Sequence, residues 1–327
     1  MAKGNRYSGI GGQAVLEGVM MKNQDRYAVA VRKPNGEIEV EIDEFKGMAA
    51  GASWSKLPLI RGVFAFVDSL VLGMKTLTWS ASFYEEEEEE KEQSQLEKKL
   101  GDKADKVMMG FTVAVSIIFA VGLFMLLPFF ISDLCAKVIR NATIVALLEG
   151  VIRIAIFLGY VVLISLMKDI RRVYMYHGAE HKCINCIEKG RPLTVKDVKR
   201  SSRQHKRCGT SFLLFVVVVS VIVFFFIRVD NLALKLLLRI LLIPVIAGIS
   251  YEIIRLAGKS DNFFVRMISA PGMLLQKLTT KEPDEDMIEV AIASVEAIFD
   301  WKAYLKETFG YDVDDSWLED SPSEEEE

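Results

Sequence analysis

Val107-Met-Met-Gly-Phe-Thr-Val-Ala-Val-Ser-Ile-Ile-Phe-Ala-Val-Gly-Leu-Phe-Met-Leu-Leu-Pro-Phe-Phe-Ile-Ser132 contains no charged residue. An α-helix rises about 1.5 Å per residue, so roughly 20 apolar residues cross the hydrocarbon layer of a bilayer. This stretch is long enough to do so, and a buried helix of a soluble domain seldom needs such a run. Working outward, further apolar stretches fall at about 143–167, 209–228 and 232–254. The chain of 327 residues, 51% hydrophobic, therefore reads as a mainly α integral membrane protein with about four transmembrane helices. The segment MAKGNRYSGIGG has no apolar core of a signal peptide. No cleavable signal is expected there.

The net charge of −4 is unevenly spread. Acid concentrates at Glu85–Glu90 and in the tail 314–327, which read as solvated segments without chemistry. Base concentrates in 168–208, with twelve Lys/Arg against four Asp/Glu. The segment between the first two spans offers only Lys137 and Arg140 as cations. Loop charge of this kind places the 168–208 loop and both termini in the cytoplasm of the cell membrane. At that surface the basic residues are expected to meet anionic lipid headgroups rather than nucleic acid. The sequence names no protein partner.

The remaining segments follow from pattern. Residues 1–45 predict a small cytoplasmic antiparallel sheet of two or three strands. Its clearest part joins Tyr27–Val31 to Glu37–Ile42 through the turn Pro34-Asn35-Gly36. Arg61, Asp68 and Lys75 recur every seven residues, so 57–83 predicts an amphipathic, interfacial helix. A charged linker, 84–106, leads to the membrane domain, 107–256. Beyond it, 257–313 is a cytoplasmic segment whose stretch Met287–Leu305 predicts an amphipathic helix over the sheet or the membrane face. Inside the spans, Glu149 and Arg153 form an i,i+4 pair. Arg153, Lys235 and Arg239 sit near one end of their spans, where snorkelling would relieve them.

Chemistry concentrates in Tyr176-His177-Gly178-Ala179-Glu180-His181-Lys182. On a helix, His177 and His181 project from one face one turn apart, a spacing that suits two ligands of a tetrahedral metal, zinc above all. Glu180 reaches the same face. The string H-x-x-E-H is the inverted zincin pattern, in which the glutamate serves as general base toward water. A third ligand must come from His205, Cys208 or Glu252. All three histidines of the chain fall between 177 and 205. A competing set is Cys183, Cys186, His205 and Cys208, a structural Cys₃His site. The plain alternative makes these polar juxtamembrane residues, with the histidines facing a helix C-terminus. Gly9–Gly12 lacks the lysine and helix of a phosphate loop and reads as a flexible entry to a strand.

Gly11-Gly-Gln-Ala-Val-Leu-Glu-Gly-Val-Met-Met21, the stretch 176–182, His205-Lys-Arg-Cys-Gly-Thr-Ser-Phe212 and Ala247-Gly-Ile-Ser-Tyr-Glu252 together resemble the YqhQ-like family of bacterial membrane proteins. The resemblance covers about residues 8–280. That family is sometimes labelled a predicted metal-dependent enzyme. The resemblance implies that His177, Glu180, His181, His205 and Cys208 are family positions, and that Cys183 and Cys186 are not. Two functions follow as expectations. One is a zinc-dependent hydrolase at the cytoplasmic membrane face, with Glu180 as base and a peptide or lipid as substrate. The other is a non-enzymatic membrane scaffold or transport component.

Overall fold

The structure, a computed structural model, describes residues 7–89, 102–227, 229, 231–259 and 262–310. The middle of the charged linker and the acidic tail lie outside the described residues. The N-terminal region is a four-stranded antiparallel meander: β1 (Ile10–Val15), β2 (Gly18–Asn23), β3 (Arg26–Arg32) and β4 (Ile38–Glu44), in that order. The sequence reading expected two or three strands. The difference arises at Glu17, whose φ of 49° puts a non-glycine residue in the left-handed region. That residue folds Ala14–Met21 back on itself, pairing Val15 with Gly18. Gly18 is required there, since a Cβ would sit 2.3 Å from the Ala30 carbonyl oxygen.

Helix α1 (Ile60–Glu89) covers one face of the sheet. Val15, Met20, Tyr27, Val29 and Val31 pack there with Leu72. Val19, Met21 and Ala30 face the other way, onto α5 (Lys168–Glu188), α11 (Glu285–Glu296) and α12 (Trp301–Phe309). Each valine, leucine or methionine among them contributes about 1.5–3 kcal/mol when fully buried. All five residues Tyr27–Val31 are buried, as in a strand covered on both faces. The Met287–Leu305 stretch is two helices rather than one, and it covers the sheet.

The charged stripe on α1 is an anchoring stripe. Arg61 Nε donates to Glu252 Oε1 at 2.6 Å. Asp68 Oδ1 accepts from the Met48 backbone N–H at 2.9 Å. Lys75 Nζ donates to Asp43 Oδ2 at 2.6 Å.

Among the described residues, three helices are long and apolar enough to cross a membrane. The first, Gly110–Ala136, joins α2 (Asp102–Val121) to α3 (Leu127–Ala136) through a π-helical segment, Gly122–Leu126. The second is α4 (Ala142–Ser165). The third, Leu232–Gly258, runs through α8 (Leu232–Leu241) and most of α9 (Ile243–Lys259). A shorter apolar helix, α7 (Gly209–Phe225), packs among them. Large apolar side chains such as Phe111, Ile118, Val151, Leu163 and Leu241 remain exposed on these helices.

The charges inside the spans correct the snorkelling expectation. Arg153 and Arg239 are 3% and 1% exposed and turn inward. Arg153 donates to Glu149 Oε1 at 2.6 Å, and Arg239 donates to Glu149 Oε2 at 2.8 Å. The π segment belongs to the same network. Pro128 has no N–H to give the Phe124 carbonyl four residues earlier. Arg153 Nε supplies that donor instead, at 3.2 Å.

Helix α4 ends at Ser165, and Met167, extended at φ −70° and ψ 134°, starts α5 anew. His177 and His181 therefore stand on their own helix, clear of the second apolar helix. Two elements complete their surroundings: the short α6 (Val195–Lys199), capped by Thr194, and α10 (Phe263–Thr279).

Candidate metal centre

Helix α5 is held by one face and offers another. Tyr176, Ala179, Cys183, Ile184 and Ile187 follow a helical repeat and sink into the core against the sheet and α11. His177 and His181 lie one step around the helix, toward the chain that leads into α7 and toward the end of α10. Two backbone carbonyls and one side-chain sulfur receive them. His177 Nδ1 meets the Thr279 carbonyl oxygen at 2.9 Å. His181 Nδ1 meets the Arg203 carbonyl oxygen at 2.7 Å. A carbonyl only accepts, so each Nδ1 carries a hydrogen and Nε2 is the ring atom left for a metal, once any proton on it is given up. Cys208 caps the N-terminus of α7 and accepts from the Thr210 N–H. Its Sγ lies 3.1 Å from His177 Nε2.

One donor atom from each of His177, His181 and Cys208 lies within 4.8 Å of the other two. Bonds of about 2.0–2.3 Å to one tetrahedral zinc ion put neighbouring ligand atoms roughly 3–4 Å apart. The 3.1 Å contact falls in that range. Electrostatics favours the anionic sulfur. Burial by itself raises a thiol, but His177 and His181 override it and hold the Cys208 thiol well below its ordinary value. Burial by itself lowers an imidazole, yet the Cys208 sulfur beside His177 reverses this and raises that ring to about 9.

Glu180 is 5% exposed, and its Oε2 has no hydrogen-bond partner among the described residues. Burial raises its carboxyl, and the adjacent His177 and His181 pull it back. The side chain lies over Gly12 of β1. A Cβ at that position would stand 2.8 Å from Glu180 Cγ and 2.8 Å from the Met20 carbonyl oxygen. Gly12 is thus the opening through which Glu180 fits, not a flexible entry to a strand.

Two expected ligands do not join the group. His205 is buried, with its N–H donating to Gln276 Oε1 at 2.8 Å and its carbonyl accepting from Gln276 Nε2 at 2.7 Å. Its ring turns to Glu188 and Arg207 and stands behind His181, with centroids 5.6 Å apart. Glu252 is committed to Arg61. The Cys₃His alternative is not assembled either. Cys183 and Cys186 are wholly buried in the core cluster, and the Cys186 thiol points to the Pro192 carbonyl at 3.2 Å. Burial pushes the Cys186 thiol up to about 12.

Sequence reasoning missed several participants. The Thr279 and Arg203 carbonyls show no signal, because any residue supplies one. Gln276 and Gly178 were equally silent. A Cβ on Gly178 would stand 2.1 Å from the Lys281 carbonyl oxygen, so only glycine lets α5 approach the strand-like exit of α10. Gly12 did carry a signal: a glycine inside a strand marks close approach of another group.

The family model described as "Protein of unknown function (DUF1385)" matches residues 57–301. The Uncharacterized protein YqhQ of Bacillus subtilis (strain 168) is 36% identical over 289 residues, covering 87% of this chain and 90% of that protein. No solved structure matches. A match over most of the membrane region and the whole candidate centre, joined to that identity, decides the relationship: the chain belongs to the DUF1385 family, with YqhQ among its relatives.

Proposed function

We propose that this chain is a multi-pass membrane metalloprotein and that His177, His181 and Cys208 hold one zinc ion for a hydrolytic reaction. The observation that carries the reading is the orientation of the two imidazoles. Both rings spend Nδ1–H on a backbone carbonyl, the usual support for a histidine that ligates through Nε2. Mixed nitrogen and sulfur donors suit zinc, and three protein ligands leave a position open, as catalytic sites require. An ion held there would polarise the bond under attack. Glu180, buried beside the ligands with a free carboxylate oxygen, would take the proton from the attacking water at Oε2. The substrate on this reading is a peptide or a lipid that reaches the membrane face.

The purified protein should hold about one zinc per chain. The double variant His177→Ala/His181→Ala should lose it. Cys183→Ser should keep it, since that thiol lies in the core. Elemental analysis of the three proteins decides, and metal loss in Cys183→Ser alone would turn the assignment to the CxxC pair.

The same reading makes α7 the fourth span and puts the centre, the sheet and α11–α12 in the cytoplasm. Support comes from the excess of basic residues in 168–208 over the segment between the first two spans. Cysteines introduced at 189 or 196 should react with an impermeant maleimide only after permeabilisation, and one at 138 should react in intact cells. The reverse pattern would invert the topology. A second reading, a transport or scaffold component, is favoured by one observation, the Glu149–Arg153–Arg239 cluster inside the bundle.

A further inference from the structure

Helix α10 divides into three stripes. One is buried: Val265, Ser269, Gly272 and Gln276. One is exposed and apolar: Phe263, Met267 and Leu274 are 74%, 57% and 60% exposed. Between them runs a third, Arg266, Ala270, Met273 and Lys277, at intervals of four, three and four. These residues form one wall of an open groove of ≈ 520 Å³, and Lys206 on the facing loop supplies another cation. Burial first, then the charges of Arg266 and Arg207, depress the Lys206 ammonium. Positive charge is therefore concentrated where the walls are part apolar.

We infer that this groove binds a phospholipid with an anionic headgroup. A soluble phosphate compound would need the cations but not the apolar stripe beside them. An acyl chain would need the stripe but not the cations. A phospholipid uses both, with its phosphate between Lys206 and Arg266, Lys277 adding positive charge further along the groove, and its chains along Met267 and Leu274. The placement fits an interfacial helix, whose apolar face enters the acyl boundary while its basic flank meets headgroups. Helix α10 follows directly after the long apolar helix ending at Gly258, so it starts where that span leaves the bilayer. This inference does not depend on the zinc reading.

The test is native mass spectrometry of the full chain in detergent, titrated with phosphatidylglycerol or with phosphatidylcholine of the same acyl chains. The parent should prefer phosphatidylglycerol. Lys206→Gln/Arg266→Gln/Lys277→Gln should weaken that preference roughly a hundredfold, at about fivefold per basic residue near a headgroup. A control removing three exposed cations outside the basic stretch, Arg26→Gln/Lys46→Gln/Lys302→Gln, should leave it within about twofold of the parent. If the triple groove variant does not fold, Arg266→Gln and Lys277→Gln, both exposed, are read singly and should lose about fivefold each. Equal preference in parent and groove variants would overturn the assignment. So would equal losses in groove and control variants, which would reduce it to general surface charge. Displacement of bound phosphatidylglycerol by inorganic phosphate at matched concentration would overturn it as well, because the apolar stripe would then contribute nothing.

Discussion

Glu180→Gln is expected to fold, to insert and to hold zinc like the parent, yet to lose roughly a hundredfold or more of the activity, the scale on which a general base contributes. The substitution is nearly isosteric, and the Gly12 opening that admits the glutamate side chain admits glutamine as well. It removes only the basicity. A purely structural role predicts something else. If Glu180 were a buried ion-pair partner, its loss would lower stability and function together. The obvious cations are already committed: Lys182 pairs with Glu282, with its Nζ also donating to the Lys199 carbonyl at 2.6 Å, and Arg203 lies nearest Glu282 as well. Complementation of a strain lacking the gene supplies the functional readout while the substrate is unidentified. Zinc content and thermal unfolding of the same protein supply the structural one. A folded, zinc-loaded and fully complementing Glu180→Gln protein would end the hydrolase reading.

What the sequence made legible here was what depends on local pattern. Long, predominantly apolar runs marked the helices long enough to cross a membrane, and the four-residue spacing of His177 and His181 survived because both stand within a single helix. Cys208 was within reach because it stands beside His205 on the stretch that leads into an apolar run. The rest depends on contacts between segments far apart in the chain. Glu252 looked available until Arg61, nearly two hundred positions earlier, was placed beside it. His205 looked like a ligand because of its residue type, but Gln276 and Glu188 settle which way it faces. The fourth strand was hidden by Glu17, which takes a left-handed turn that its type rarely signals. The Cys183 and Cys186 pair was open to two readings because a buried thiol in an apolar core and a zinc ligand are written with the same letter.

The buried cluster in the span bundle should dominate stability. Glu149→Gln is expected to cost about 3–5 kcal/mol, the range for breaking a buried ion pair by removing one partner. The cost is high here because one carboxylate serves two guanidinium groups, each at most 3% exposed. Without it Arg153 and Arg239 face one another among Phe129 and Phe224, whose ring faces lie about 5 Å from the guanidinium carbons. Those rings offset part of the charge, since a cation over an aromatic face is worth roughly 0.5–2 kcal/mol, but they do not replace an anion. The triple variant Glu149→Leu/Arg153→Leu/Arg239→Leu should recover most of the loss, because apolar side chains of similar volume commonly match or exceed a buried ion network in stability. Its remaining defect should be local: the Phe124 carbonyl, deprived of a donor by Pro128, would lose Arg153 as well. Unfolding in mixed micelles measures all three proteins on one scale. Function then separates the two readings. If the cluster only holds the bundle together, the triple variant complements once it folds. If charge must pass through the bundle, the triple variant folds and fails, and the transport reading displaces the hydrolytic one.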